Sequence, residues 1–220
     1  IGSSLMAEAD LLQACRRGIL GENKVCGLTR NQDAIAAYDN GALFGGLIFY
    51  PKSPRFVDLD CAKEISQSAP LKFVGVFVNA AIAEVAEHAK QLKLSAVQLH
   101  GQEDEHYIAS LRNELPRHCE IWKAQAIKDA LPQPITGADR HLYDTHSDSQ
   151  AGGTGKTFDW SVLRDATTPF MLAGGLNPDN ISDALFQGAL GLDLNSGVEE
   201  SPGKKCANKL HHAFTSIRNY

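Results

Sequence analysis

The sequence lacks the features of a membrane-spanning, secreted or zinc-binding chain. No apolar run reaches the ~18 residues that a membrane-spanning helix needs, and the start shows no signal-peptide pattern. The five cysteines are an odd number, lie far apart and include no Cys-x-x-Cys pair, which argues against a disulfide framework and a tetrahedral zinc site. These absences predict a cytoplasmic protein that binds no metal ion.

An excess of positive charge is also lacking. The chain has 21 Lys and Arg against 26 Asp and Glu, which gives a net charge of −5. Nucleic acid and membranes are therefore not expected as partners, and an anionic ligand would have to be held by local groups. The 220 residues, of which an ordinary 43% are apolar, are enough for one large α/β domain.

Eight short apolar runs recur along the chain, and each is typical of a strand that is covered on both faces. They occupy residues 24–27, 46–49, 73–78, 96–99, 120–124, 141–144, 169–173 and 191–194. Apolar periodicity predicts helices over residues 31–40, 80–92, 103–115, 178–187 and 204–217. Asn177 is the expected N-cap of the fourth of these helices, and the proline-containing stretch 127–139 predicts a short helix or none.

Strands that alternate with helices predict a (β/α)₈ TIM barrel, with an open doubly wound sheet as the alternative. The barrel is favoured because no Gly-x-Gly-x-x-Gly motif follows the first strand. Residues 4–20 precede that strand and predict one extra N-terminal helix, which ends at Gly21. One face of this helix carries Leu5, Ala9, Leu12 and Ile19.

The ends of the predicted strands carry candidate catalytic side chains, at the edge where barrel enzymes have their active sites. Cys26 follows the first strand. A lone cysteine is more often a packing residue, but a thiol can be a general base when positive charge, here from Lys24 or Arg55, lowers its pKa. Asp144 ends the sixth strand and is a candidate general acid if burial raises its pKa.

Other strand ends carry polar residues that suit binding. Gln98 and His100 end the fourth strand and would line a polar barrel mouth, although a lone histidine is more often structural. Arg55 lies in a loop stiffened by prolines and suits a planar carboxylate, the alternative being a solvated turn. The glycine-rich loop 152–155 is a lid or a backbone anion site.

The loops after the seventh and eighth strands favour a phosphate site. Glycines at Gly174, Gly175 and Gly197, beside Ser196, allow backbone N–H groups to approach a phosphate, and phosphate sites recur at these loops in this fold. Two unrelated turns are the alternative. Asp193 precedes the second loop and belongs to the same candidate binding set.

Taken in order, eight motifs resemble those of the phosphoribosylanthranilate isomerase family over residues 23–220. They start at Lys24, Phe49, Val74, Val97, Gly152, Phe158, Ala173 and Asn195. The resemblance implies an Amadori rearrangement of N-(5-phosphoribosyl)anthranilate in tryptophan biosynthesis, without a cofactor. It implies that Asp144 protonates the ring oxygen and Cys26 removes the C2 proton.

The resemblance also implies where the rest of the substrate binds. Arg55 would meet the anthranilate carboxylate, and the loops at Gly174–Gly175 and Ser196–Gly197 would hold the phosphate. Lys24, Gln98, His100 and Asp193 complete the expected substrate-binding set. One departure stands at Cys206, where the family usually has Asp; we expect it to alter a local helix contact.

Residues 1–22 resemble the end of indole-3-glycerol-phosphate synthase. We therefore expect them to be the remnant helix and linker of an upstream synthase domain that is covalently fused to the barrel at residues 23–220. Another phosphosugar barrel enzyme, such as the synthase itself, is an alternative, but its strand-end Lys and Glu residues are not found. A non-catalytic remnant would predict the loss of Cys26 or Asp144, and both are present.

Overall fold

A closed barrel of eight parallel strands forms the centre of the molecule. The computed structural model describes residues 11–127, 130–144 and 160–218. Strand β1 pairs with both β2 and β8, so the sheet closes and the TIM barrel prediction is confirmed. Each predicted strand is present within two residues of its expected ends: β1 Lys24–Val25, β2 Phe44–Ile48, β3 Lys72–Phe77, β4 Ala96–Leu99, β5 Glu120–Ala126, β6 Arg140–Asp144, β7 Phe170–Ala173 and β8 Gly191–Leu194.

Helices lie between most of the strands. They are α1 Leu11–Leu20, α2 Asn31–Asn40, α3 Leu59–Ser68, α4 Ile82–Gln91, α5 Glu105–Glu114, α6 Ile181–Leu185 and α7 Ala207–Arg218. The periodicity did not predict α3, whose start is fixed by Asp58, a side chain that accepts the backbone N–H of Cys61. The described part of 127–139 contains no helix.

Two predicted helix starts were wrong. Helix α6 begins at Ile181, because residues 177–180 form a turn in which the Asn180 side chain accepts the backbone N–H of Asn177. Asn177 is therefore not an N-cap. Helix α7 begins at Ala207, because Lys204–Lys205 (β10) pairs with Glu199–Ser201 (β9) in a short antiparallel hairpin. Short 3₁₀ helices cover Trp160–Asp165 and Ser196–Val198.

The apolar core has an inner and an outer part. The larger cluster packs the outward faces of the strands against the helices. A second cluster fills the lower barrel with side chains such as Phe44, Val74, Trp122 and Met171. Above it, Cys26, Ile48 and Val76 form a small apolar group among the described residues, packed against Tyr50. Apolar side chains thus fill the lower barrel, and fewer of them lie at the C-terminal end of the strands.

Helix α1 ends where the sequence predicts, since Gly21 has φ +77° and its N–H donates to Arg17. Ala14 is buried, but the side chain of Ile19 is 75% exposed, so this residue of the predicted apolar face does not pack on the barrel. Leu5 and Ala9 lie outside the described residues. Within the described residues no helix is long and apolar enough to span a membrane.

The departure at Cys206 generates a stability prediction. Its backbone carbonyl accepts the N–H of Leu210, which places Cys206 at the N-cap of α7, where a thiol is a poor acceptor. Cys206→Asp should raise the free energy of unfolding by about 0.5–2 kcal/mol, because a carboxylate can accept a free helix N–H. Urea unfolding followed by circular dichroism measures this, with Cys206→Ala as the control. An Asp variant no more stable than the Ala variant would contradict it.

Candidate active site

A cavity of about 400 Å³ opens at the C-terminal ends of the strands. Because side chains alternate along a strand, every second residue of each strand points into the barrel and the last of these reach the cavity. It is lined by Cys26, Ile48, Arg55, Val76, Gln98, His100, Leu142, Asp144, residues 173–176, Asp193, Asn195 and Ser196. Most of the residues that the sequence singled out therefore meet in one place.

Two predicted binding residues do not line the cavity. Lys24 is fully buried beneath it and bonds to Asp193, so its role in substrate binding stays a prediction. Lys24 lies two residues before Cys26 on the same face of the strand, so it contacts the site from below. Gly197 also lies behind the lining, where its Cα packs on the backbone of the β7 loop. The loop 152–155 lies outside the described residues.

Cys26 lies beside a buried ion pair. Lys24 Nζ is 2.8 Å from Asp193 Oδ2, across the β1–β8 pairing. Burial acts to lower the pKa of Lys24, but the charges of Asp193 and Cys26 outweigh it and the pKa is raised. The lysine therefore keeps its proton. Gly46 of β2 leaves room for the thiol, since a Cβ there would lie 2.8 Å from Cys26 Sγ.

The positive charge beside Cys26 does not lower the pKa of its thiol overall. Burial raises the pKa of the Cys26 thiol above its ordinary value, and Lys24 offsets this only in part, while Asp193 adds to it. Burial also raises the pKa of the Asp193 carboxyl, against the effect of Lys24. The sequence shows the nearby cation but not the burial, which is the larger effect here.

Asp144 is across the cavity from Cys26, separated from it around the barrel by β7 and β8. Its Oδ2 is 3.6 Å from His100 Nε2, and His100 Nδ1 is 3.3 Å from Gln98 Nε2. The Asp144 side chain is one-fifth exposed, and Gln98 is buried. A carboxyl and a thiol thus flank the same space, which is the arrangement that an acid–base pair requires.

Arg55 reaches the cavity already paired with an acid that the candidate set did not include. Its Nε and Nη2 donate to the two carboxylate oxygens of Glu199, at 2.9 and 2.7 Å. Lys205 Nζ donates to Glu199 Oε1 at 2.8 Å and to Asn195. The partners Arg55 and Glu199 are 144 residues apart, so no local pattern could have identified the pair.

The β7 and β8 loops form a concave backbone surface. Gly174 and Gly175 both have positive φ, which favours glycine. Gly197 is needed for a different reason, because a Cβ there would lie 1.9 Å from the carbonyl oxygen of Leu176. Among the described residues, the backbone N–H groups of Gly175, Ser196 and Gly197 have no acceptor.

This surface can accept an anion, since N–H groups without an acceptor lie on the two loops where they touch. The N-terminus of the predicted helix at 178 is not part of it, because α6 begins only at Ile181. Within the described residues no group of three or more His, Cys, Asp or Glu could hold a metal ion. The groups present suit proton transfer between a bound sugar phosphate and side chains.

A comparison with protein families matches residues 23–216 to N-(5'phosphoribosyl)anthranilate (PRA) isomerase. The chain belongs to this family. The reaction for which the family is named, the isomerisation of N-(5'-phosphoribosyl)anthranilate, is therefore the activity of this barrel, and the motif resemblance is confirmed.

Relatives of the isomerase barrel agree in sequence and fold. The chain is 52% identical over 221 residues to the tryptophan biosynthesis protein TrpCF of Vibrio cholerae, an alignment that covers 100% of this chain and 47% of that protein. It thus spans about half the length of the curated relatives it matches. The phosphoribosyl anthranilate isomerase from Thermotoga maritima is 32% identical with a TM-score of 0.77, over 91% of this chain and 100% of that one.

A second solved isomerase is 28% identical with a TM-score of 0.75, also over 91% of this chain and 100% of its own. That protein is in complex with reduced 1-(o-carboxyphenylamino)-1-deoxyribulose 5-phosphate.

A glycine-to-alanine substitution tests whether the close contact of the β7 and β8 loops is needed for phosphate binding. Gly197→Ala should weaken the binding of inorganic phosphate to the isomerase barrel at least tenfold, because the new Cβ must push the β8 loop away from Leu176. Phosphate titration followed by NMR measures the affinity. Gly18→Ala is the matched control, since a Cβ there meets nothing within 4 Å. Unchanged phosphate affinity in the Gly197 variant would argue against the site.

Proposed function

We propose that the barrel converts N-(5'-phosphoribosyl)anthranilate to 1-(o-carboxyphenylamino)-1-deoxyribulose 5-phosphate with Asp144 as the general acid and Cys26 as the general base. The observation that carries the assignment is that one cavity has a carboxyl and a thiol on separate walls, with an arginine and a phosphate-sized backbone surface at its edges. The ligand named for the related isomerase structure is a reduced form of this product, which supports the same substrate here.

The first step opens the ribose ring. Asp144 donates its proton to the ring oxygen, the bond between C1 and that oxygen breaks, and the nitrogen lone pair forms a C=N bond to C1. Proton transfer by a positioned side chain lowers the barrier for such a leaving group. His100 Nε2 is 3.6 Å from Asp144 Oδ2 and, after a small approach, can donate a hydrogen bond to the carboxylate that remains.

The second step moves a proton from carbon. The Cys26 thiolate removes the C2 proton, and the electron pair of that bond forms C1=C2 while the C=N electrons return to nitrogen. The resulting enolamine becomes the ketone when its C2 hydroxyl loses a proton and C1 gains one. Lys24 and Lys205 both interact electrostatically with Cys26, so they stabilise the thiolate and offset part of the effect of burial.

The two charged ends of the substrate fix its direction across the cavity. Arg55 on the β2 side would take the anthranilate carboxylate, for which a guanidinium offers parallel N–H donors. The amides of Gly175, Ser196 and Gly197 on the β7–β8 side would take the phosphate. Between these ends the sugar lies with C2 toward Cys26 and the ring oxygen toward Asp144.

We also propose that this chain works as one part of a longer cytoplasmic protein of tryptophan biosynthesis. Its curated relatives are about twice as long and are named for that pathway. Residues 1–22 would then be the last helix and linker of a fused indole-3-glycerol-phosphate synthase domain, and residues 23–220 the isomerase domain.

Removal of either proposed catalytic group tests the mechanism. Cys26→Ala and Asp144→Asn should each lower kcat by about 100-fold or more, because positioned acids and bases contribute 10²–10⁴-fold. The fluorescence loss of freshly generated substrate measures the rate. Cys61→Ala is the control, since Cys61 lies on α3 outside the cavity. Near-normal turnover in either site variant would remove that residue from its role.

The raised pKa of Cys26 predicts the pH dependence. Cys26 acts as a base only in its thiolate form, and a raised pKa lowers the thiolate fraction at a given pH. The rise of kcat/KM with pH is therefore displaced to higher pH. We expect kcat/KM to rise with pH throughout the neutral range without reaching a plateau there. Cys26→Asp should flatten this rise, because a carboxylate has a lower pKa than a thiol and is already ionised at neutral pH. A plateau of the natural protein near pH 7 would show that the free enzyme holds Cys26 as a thiolate.

A further inference from the structure

The guanidinium of Arg55 has two edges, and only one is available to a ligand. Of its five N–H donors, one on Nε and one on Nη2 go to Glu199. This pairing occupies the edge formed by those two nitrogens. The remaining donors, on Nη1 and Nη2, form the end of the fork, and they are the ones that can meet a second planar carboxylate.

Glu199 is itself held from several directions. Its side chain is 4% exposed, and Oε1 accepts from Lys205 Nζ at 2.8 Å and from the backbone N–H of Gly203 at 3.3 Å, in addition to Arg55. Lys205 is in turn fixed by both the carbonyl and the side-chain oxygen of Asn195. Burial acts to raise the pKa of Glu199, but the hydrogen bonds from Arg55 and Lys205 outweigh it and keep the pKa low.

The hairpin of β9 and β10 supplies this arrangement. Glu199 begins β9, Lys205 ends β10, and Gly203 lies in the turn between them. The turn is tied to the loop after β1 by a hydrogen bond from Thr29 to the Gly203 carbonyl. The hairpin is additional to the alternating strands and helices of the barrel. Its two buried charges, Glu199 and Lys205, pair with each other, and Glu199 also pairs with Arg55.

The charges of the group leave one net positive charge. Arg55 and Lys205 contribute +2 and Glu199 contributes −1, which sums to +1. A single carboxylate at the end of the Arg55 fork would neutralise it. Glu199 therefore reduces the positive potential at the edge of the site while it restricts the guanidinium to one orientation.

We propose that Glu199 is a positioning residue that aims the free end of Arg55 at the aryl carboxylate of the substrate, and so determines the preference for an ortho-carboxylated arylamine. The proposal rests on the function proposed above. For the loss of Glu199, it predicts the opposite change in carboxylate affinity from the one that Coulomb's law alone would give. Loss of a negative charge beside a carboxylate site should strengthen carboxylate binding by Coulomb's law, whereas loss of a positioning group should weaken it.

The experiment compares two ligands that differ only in the carboxylate. One is the reduced product, 1-(o-carboxyphenylamino)-1-deoxyribitol 5-phosphate, and the other is its phenyl analogue without the carboxyl group. Calorimetry gives both affinities for the natural chain and for Glu199→Gln, whose amide N–H₂ cannot accept from the guanidinium. The natural chain should prefer the carboxylate by about 10- to 100-fold, the value of a charge-assisted pair.

In Glu199→Gln the preference should fall at least fivefold, while the affinity for the phenyl analogue stays within about twofold because phosphate and sugar contacts remain. Glu199→Asp retains the charge but shortens the reach, and it should also lower the preference. Glu200→Gln is the matched control: it removes one negative charge from the same strand at an exposed residue and should leave the preference unchanged.

The outcomes separate the two proposals. If the natural chain binds neither ligand, the proposed substrate is wrong. If it binds both, and the carboxylate preference stays the same or rises in Glu199→Gln and Glu199→Asp, the positioning role of Glu199 is overturned while the proposed function stands. Should Glu199→Gln not fold, Glu199→Asp decides in the same way.

Discussion

The site depends on the ion pair that forms where the barrel closes. Lys24 on the first strand meets Asp193 on the last, and both side chains are buried. Loss of one partner would leave an uncompensated buried charge, which costs about 3–5 kcal/mol in comparable cases. The β1–β8 register is therefore constrained by charge as well as by backbone hydrogen bonds. That register places Cys26 directly above the pair, at the floor of the cavity.

Charge around the cavity is distributed to suit the proposed ligand, which has an anionic group at each end, in a chain of net negative charge. The proposed phosphate site consists of backbone amides, which carry no net charge, and the proposed carboxylate site is a group whose charges sum to +1. Lys24 is balanced by Asp193. The thiol thus lies among cations that are mostly compensated, and burial sets the direction of its pKa shift. A carboxylate bound as proposed at Arg55 would change this balance, because Arg55 interacts with both Glu199 and Cys26.

Much of the fold was open to prediction, because a strand covered on both faces is apolar throughout and a surface helix is periodic. The exceptions have local causes. Helix α3 begins at a side-chain cap and has mostly polar residues, and the turn at Asn177 and Asn180 replaces the first turn of the expected helix. The candidate site was predicted in most of its lining, since strand-end residues of a closed barrel must converge.

The sequence by itself determined the barrel, its eight strands, the order of the family motifs and the identity of the candidate acid and base, because these depend on local pattern and composition. Tertiary structure alone decided three things. It placed Lys24 below the cavity and not in it, raised the pKa of Cys26 by burial, and paired Arg55 with Glu199 across 144 residues of chain. Each depends on which distant atoms become neighbours and how much water they lose, and no local stretch of sequence encodes either quantity.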